Sequence, residues 1–359
     1  MPEGTCHSMC PVSERQMRIR EKLIHPLEST EFWEHGDYGA RNRTASINRL
    51  VKTYRRSAAD RTESITEPSS LRPFNVLMDT VRYLNGIYNE HPNYPTLPYA
   101  LLYEFVSDRL RSVRQDMIVQ QLDAQQTCTL LAHMMHFYLH SDYRCRIQPC
   151  SSYDPKLHEF QLDECMNRWS DAYEVLPCHI RRQRHRSGLD KEFSLDDLRV
   201  AHELYSAVRS RLKGCVSIRT LDSTDFPFRA LLSAYRLDNF VRFFRLLSTA
   251  ATTLPALVRL SLARLFPLVR LRALTILAHA YGSKTLTVPL EVVKCWLMFD
   301  SVHDAREACR SLGLQTTSDT VRFHPSTVTR GGIEPQTQPS LIKSDWLLFD
   351  LDLHGCDNV

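Results

Sequence analysis

Glycine is scarce, 11 in 359 residues, and neither G-x-x-x-x-G-K-S/T nor G-x-G-x-x-G occurs. A nucleotide site built on backbone N–H groups at a helix N-terminus therefore has no loop to use. H-E-x-x-H and C-x-x-C are missing as well, which removes the commonest short metal signatures. No stretch approaches the roughly 18–20 uninterrupted apolar residues of a membrane-spanning helix. The most apolar one, Leu254 to Tyr281, carries Arg259, Arg264, Arg270 and Arg272. The first twenty residues are polar and charged, so no secretory signal is expected. The eleven cysteines, an odd count with no signal, are expected as reduced thiols, most of them buried as small hydrophobes. Lysine is rare too: 8 of the 45 basic residues, which leaves 37 arginines in a chain of net charge +4. Arginine pairs with phosphate and carboxylate in a bidentate way, which points to anionic or acidic partners without choosing between them.

What is present reads as helix. Hydrophobic residues make up 43% of the chain, enough for a large core, and the length suggests about two domains. Pro11 to Leu27 is predicted as a first helix with a thin apolar stripe. An irregular arm follows, Ser29 to Ser70, in which Ile47 to Tyr54 is expected to make two helical turns. From Leu71 amphipathic helices repeat between proline or polar breaks. Val76, Leu77, Val81, Leu84 and Ile87 share one face; Phe105, Leu110, Val113, Met117 and Leu122 share another, at the 3.6-residue period. Strand-like alternation is almost absent before residue 285. Arg144 to Tyr153 is expected to be a helix-poor connection, and Cys178 to Arg186 (C-H-I-R-R-Q-R-H-R), with Ser187 and Gly188, a basic surface loop or a nucleic-acid or nuclear-import patch.

The last folded segment differs. K-T-L-T-V-P favours a strand, Pro289 opens L-E-V-V-K-C-W-L-M-F as a helix, and Asp300 or Ser301 caps S-V-H-D-A-R-E-A-C-R-S-L-G, which Gly313 ends. L-Q-T-T and T-V-R-F-H then form a hairpin about Ser318 and Asp319. With the helix that is expected to end near Tyr281, the order helix, short strand, helix, tight turn, helix, hairpin is that of a winged helix. Its second helix is expected to bury Val302, Ala305, Cys309 and Leu312 and to present His303, Arg306, Glu307 and Arg310. The expected organisation is residues 1–70 as an N-terminal helix and arm, 71–284 as a helical-repeat domain, 285–325 as the winged-helix subdomain, and 326–359 as a linker and an acidic, apolar tail. That tail, D-W-L-L-F-D-L-D-L, is either a docking element or a segment that packs back on the chain's own surface.

Residues able to carry chemistry find bland explanations. His133, His136 and His140 lie along one helical face with no accompanying carboxylate pattern. Asp196 and Asp197 follow Ser194 at a helix start, where negative charge suits the dipole. Cys6 and Cys10 have the spacing of a zinc half-site, but Cys145 with Cys150, or Cys178 with His179, could complete it only by chance of folding, and no base or orienting carboxylate marks either as a nucleophile. No metal, cofactor or catalytic residue is expected, and the chain reads as a non-enzyme. Positive charge is the better signal. Arg111 and Arg114 are expected on a solvent-facing helix surface, with Arg109 nearer the packed side. Asn239 to Leu290 holds seven basic residues (Arg242, Arg245, Arg259, Arg264, Arg270, Arg272 and Lys284) and no acidic one, a candidate phosphate-tracking face.

Four ordered motifs, G-T-C-H-S-M-C-P-V-S-E-R, L-V-K-T-Y-R-R-S-A-A-D, L-R-P-F-N-V-L-M-D-T-V-R-Y-L and F-V-S-D-R-L-R-S-V-R-Q-D-M, resemble the opening of the Sac/GANP domain family. N-F-V-R-F-F-R-L-L and V-R-L-R-A-L look like its continuation, so that the resemblance covers about residues 4 to 325. The length is most like that of the short Sac-domain-containing members. The resemblance implies an all-α helical-repeat (PCI/TPR-like) superhelix ending in a small winged-helix subdomain with a short β-hairpin. It implies a scaffold of a transcription-coupled mRNA export complex, in the nucleus at the nuclear pore, pairing with a PCI-domain subunit and an acidic small peptide subunit, with RNA or DNA as a further partner and no membrane. The alternative it carries is a centrosome-duplication or spindle-associated interaction protein, also in the cytoplasm. Cys6, Cys10, Pro11 and Arg109 belong to the family signature and are expected to be structural. Nucleic-acid contacts are expected at Lys294, Arg306, Arg310 and Arg322 from their winged-helix positions, with Arg111 and Arg114.

Overall fold

The computed structural model describes residues 3–56, 66–182, 184–186, 192–209, 226–250 and 256–325. Among the described residues two compact units emerge, one of residues 3–141 with Cys150–Leu195, the other of Asp142–Pro149 with residues 196–325. The predicted tail motif falls outside the described residues.

Helices dominate the first unit: α1 (Val12–Arg20), α2 (Thr30–His35), α3 (Phe74–Asn89), α4 (Tyr99–Gln120), α5 (Ala124–Ile147, whose residues from Asp142 count with the second unit), α6 (Pro155–Glu174) and α7 (Cys178–Arg181). Leu77, Val81, Leu84 and Tyr88 of α3 recur at helical spacing and are buried, and α3 packs along α4, whose Phe105, Leu110, Val113 and Met117 are buried in turn. Asp154 caps α6 by accepting from the N–H groups of Lys156 and Leu157, and Pro155 suits the first turn. Trp169, fully buried on α6, stacks on Tyr173 at 4.9 Å.

Three sequence expectations shift here. The first helix ends at Arg20 and not at Leu27, because Lys22 turns the chain at φ 56° into a 3-10 turn at Pro26–Glu28. Ile47 to Tyr54 makes one 3-10 turn, Ile47–Arg49, and then runs extended. Its N–H groups are taken elsewhere: Lys52 donates to the Met9 carbonyl, Thr53 to Glu14 and Tyr54 to Asp108. Distant acceptors thus override local helix propensity. Helix α5 runs through to Ile147, past the start of the expected helix-poor connection. The basic loop carries a short antiparallel pair, β1 (Arg184–Arg186) with β2 (Glu192–Ser194).

The second unit holds α8 (Leu195–Arg209), α9 (Phe226–Arg236), α10 (Phe240–Ala250), α11 (Ala256–Ala263) and α12 (Phe266–Ala280). It ends in β3 (Val288–Pro289), α13 (Leu290–Leu297), α14 (Val302–Ser311), β4 (Gln315–Thr316) and β5 (Thr320–Arg322). Helices α9 and α10 pair, α10 also packs on α12 and α13, and the three strands form an antiparallel sheet in the order β3-β5-β4. The fully buried Arg270 of α12 donates to the carbonyls of Leu297 and Met298, where α13 ends with Met298 at φ 50°. Its guanidinium lies over the rings of Phe266 and Phe299. Burial lowers its pKa to about 10, which leaves it charged at neutral pH. Arg270→Leu strands those two carbonyls, and we expect a loss of about 2–4 kcal/mol in urea denaturation.

Among the described residues, no helix is long and apolar enough to cross a membrane.

Candidate nucleic-acid interface

The segment from Val288 to Phe323 is a small module with its own core. Leu290, Val293 and Leu297 of α13, Phe299, Ala305, Ala308 and Cys309 of α14, then Leu312, Leu314, Val321 and Phe323 are all buried. Ser301 caps α14 by accepting from the N–H of Asp304 at 3.1 Å, as its sequence position predicts. Gly313, at φ 79°, ends the helix, and Leu314 N–H returns to the Cys309 carbonyl. Val321 sits at the centre of the sheet, opposite Val288 on one side and Thr316 on the other. Val302, expected in the core, is only half-buried, and Ala308 joins Ala305 and Cys309 there.

The predicted contact residues do not share one environment. Arg310 and Arg322 are exposed. Arg310 donates to Thr316 Oγ1 at 2.9 Å and pairs with Glu307 at 3.0 Å. Lys294, half-buried, pairs with Glu291 at 2.8 Å, a bond that raises its pKa and keeps it charged. Arg306 is half-buried and reaches across to the Ser318 carbonyl, which ties α14 to the hairpin turn. His303 is exposed on the same helix. The outward face of α14 therefore mixes both signs.

Arg114 is corrected. It is buried, donating to the Gln161 carbonyl at 2.8 Å, to Cys165 Sγ at 3.0 Å and to Glu164 at 2.9 Å, with its guanidinium over the Tyr138 ring. Arg111 is half-buried, its guanidinium 4.0 Å from the centre of the Tyr54 ring. The basic face of Asn239 to Leu290 is corrected as well. Arg259, Arg264 and Arg270 are buried; Arg264 pairs with Asp142 at 3.4 Å across 122 residues of sequence, and Arg272 pairs with Asp238. Arginine stems bury well wherever acceptors wait for the head group, and these acceptors lie outside the acid-free stretch. Arg242, Arg245 and Lys284 remain exposed.

The signature residues meet in the first unit. Glu28, fully buried, pairs with Arg18 and lies 3.4 Å from Arg109, which also pairs with Asp108. Asp116, also fully buried, takes Lys52 at 2.6 Å and Arg72 at 2.7 Å. Arg72 further donates to Ser112 Oγ at 2.8 Å and to the Met9 carbonyl at 3.2 Å. Gly4 N–H donates to Gln120 Oε1 at 2.9 Å, and a Cβ on Gly4 would fall 2.5 Å from the Leu71 carbonyl oxygen. All four quoted motifs thus end in one polar interior, joined by hydrogen bonds that span 39 to 64 residues, with Gly4 bonded across 116 residues to Gln120 just past the fourth motif. The motifs could be read from the sequence; their mutual bonding could not.

Cys10 is buried against Ile24 and Leu50, and burial, followed by Glu14, pushes its thiol up to about 12. It is a neutral packing group at physiological pH. Cys6 is buried and its Sγ donates to the Ser8 carbonyl. His133, His136 and His140, placed by sequence along one helical face, are all buried. His133 Nδ1 lies 2.8 Å from the Thr129 carbonyl, and His136 stacks on His140. Among the described residues, no group of three or more His, Cys, Asp or Glu side chains is placed to hold a metal ion.

Residues 9–318 match the family model described as the SAC3/GANP family. The chain is similar to SAC3 family protein B of Arabidopsis thaliana, 27% identical over 69% of this chain and 14% of that protein. It is similar to the protein xmas of Drosophila melanogaster, 26% identical over 87% of this chain and 14% of the relative. SAC3 family protein 1 of Schizosaccharomyces pombe is 25% identical over 88% of this chain and 30% of its own length. The chain thus spans less than a third of each of these relatives. With the family model covering nearly the whole chain, and the signature motifs bonded into one interior, this chain belongs to the SAC3/GANP family.

Proposed function

We propose that the chain is a non-enzymatic scaffold of a transcription-coupled mRNA export complex in the nucleus, working at the nuclear pore. It pairs with a PCI-domain subunit and an acidic small peptide subunit through the module from Val288 to Phe323, read as a winged helix. The observation that supports this reading is the module's order of strand, helix, helix and hairpin, with the sheet arranged β3-β5-β4, in a SAC3/GANP chain. A winged helix offers the outward side of its second helix and its hairpin to a groove or a partner. Here those surfaces carry Arg310 and Arg322, with Lys294 on the preceding helix. The helices before it are read as PCI/TPR-like repeats.

In this reading nucleic acid is held through phosphates by Arg310 and Arg322, supported by Lys294. Arg306 has its own internal partner and serves the turn. Two to three phosphates neutralised on single-stranded RNA give a slope of log K against log salt of about −1.4 to −2. For the full chain we expect that slope, and an affinity about tenfold lower at low salt for R310E/R322E. Binding that does not respond to salt, or an unchanged affinity in the double variant, removes nucleic acid from the function.

A further inference from the structure

Near the end of the second unit three large side chains stay exposed: Tyr281, Leu286 and Trp296. The Tyr281 and Trp296 rings lie 5.9 Å apart, and Tyr281 is 6.5 Å from the buried Phe323. The pair therefore forms an apolar lip on the core of the small module. Two aromatic rings packed on one another, each a little over a third exposed, with Leu286 close in sequence, offer an apolar surface for a partner.

The path of the chain says which. Residue 325 lies against this lip, since a Cβ on Gly282, next to Tyr281, would come within 2.9 Å of Pro325 Cδ. Beyond it the sequence continues as a proline- and glycine-containing linker and reaches Asp345–Leu353, D-W-L-L-F-D-L-D-L, with three aspartates and no basic residue. In an extended strand Leu347, Phe349, Leu351 and Leu353 would share one side and Asp350 and Asp352 the other. Exposed cations lie close in sequence to the lip: Lys284 three residues after Tyr281, and Arg322 beside Phe323. A random-coil segment as long as the roughly 20 residues in between would have a root-mean-square reach of roughly 25 Å, which would set an effective concentration of about a millimolar for Asp345–Leu353.

We propose that Asp345–Leu353 docks on the lip of Tyr281 and Trp296, its apolar side on the rings and Asp350 and Asp352 toward Lys284 and Arg322. The tail then covers this surface until a partner displaces it. The proposal does not depend on the export reading, because it concerns the chain alone.

Cys295, exposed and next to Trp296, supplies the probe. A contact of about 100 μM at about a millimolar effective concentration protects the site about tenfold. Site-resolved alkylation of the full-length chain with iodoacetamide should therefore show Cys295 reacting about tenfold more slowly than in L347D/F349D. Exposed Cys178 of the first unit should react equally in both proteins, and buried Cys309 should stay slow in both, which confirms an intact fold. Adding a synthetic peptide of residues 341–354 to the variant should restore the protection. Equal Cys295 rates in the two proteins overturn the proposal. So does protection that grows with protein concentration, which would assign the lip to a second copy of the chain.

Discussion

Asp116→Asn is expected to cost about 3–5 kcal/mol, enough to threaten the folded state of the first unit. The substitution keeps the shape of the side chain and removes its charge. Lys52 and Arg72 would then be two cations facing an amide in an interior where neither reaches water, since Asp116 and Arg72 are fully buried and Lys52 nearly so. Removing one partner of a buried pair is costly because the other charge stays uncompensated. The loss should appear as a lower urea midpoint with an unchanged slope. The triple variant K52M/R72M/D116L tests the cause. It removes all three charges together, and we expect it to recover a large part of the stability of D116N. If the triple variant is as unstable as the single one, the hydrogen bonds of Arg72 to Ser112 and Met9 matter more than the charge balance.

Acid should destabilise the same unit by on the order of 5 kcal/mol between pH 6.5 and pH 4, through two histidines held neutral. Burial, followed by the nearby guanidinium groups of Arg109, Arg43 and Arg18, lowers the pKa of His25 to about 3. Burial alone lowers that of His136 to about 4. The neutral form of His25 is also the form its bonds require: Nδ1 accepts from the N–H of Leu27, and the ring stacks on Phe105 at 4.7 Å. Both pKa values are below the unfolded value near 6.5, so between about pH 4 and 6.5 the unfolded chain binds more protons than the folded one. Stability is therefore full above pH 6.5 and declines as pH falls toward the folded values. Urea midpoints at pH 7, 5.5 and 4 measure the slope. H25N/H136F keeps a capping acceptor at position 25 and a ring at 136 but cannot titrate. It should flatten the dependence above pH 4.5, where most carboxylates are still ionised. A slope unchanged in this variant would place the acid sensitivity in other groups.

How far the sequence reached depended on the range of the interactions concerned. The terminal module was legible almost residue by residue. Its signals are local: Ser301 three residues before the Asp304 N–H it accepts, Gly313 after α14, and turn residues between two short strands. Periodicity likewise located the buried faces of α3 and α4. What local pattern could not reveal is which charges go inside. Arg114 and Arg264 look like surface arginines until Glu164 and Asp142 are brought to them by the fold. The run from Ile47 to Tyr54 looks helical until Met9, Glu14 and Asp108 take its N–H groups. The exposed pair Tyr281 and Trp296 did leave a trace, a tryptophan next to the charged side of a short amphipathic helix, but its partner ring lies outside that helix.

The bond from Gly4 to Gln120 also bears on the order in which the chain can fold. It closes a loop of more than a hundred residues, as the contacts of Met9 with Lys52 and Arg72 close shorter ones inside it. Long loops raise the entropic cost of a contact and slow its formation. The opening motif precedes α3 and α4 in the chain, so the bond of Gly4 to Gln120 can close only after both helices have been made. In the folded chain the motif is a clasp over the α3–α4 pair, tied by bonds that local sequence cannot form by itself.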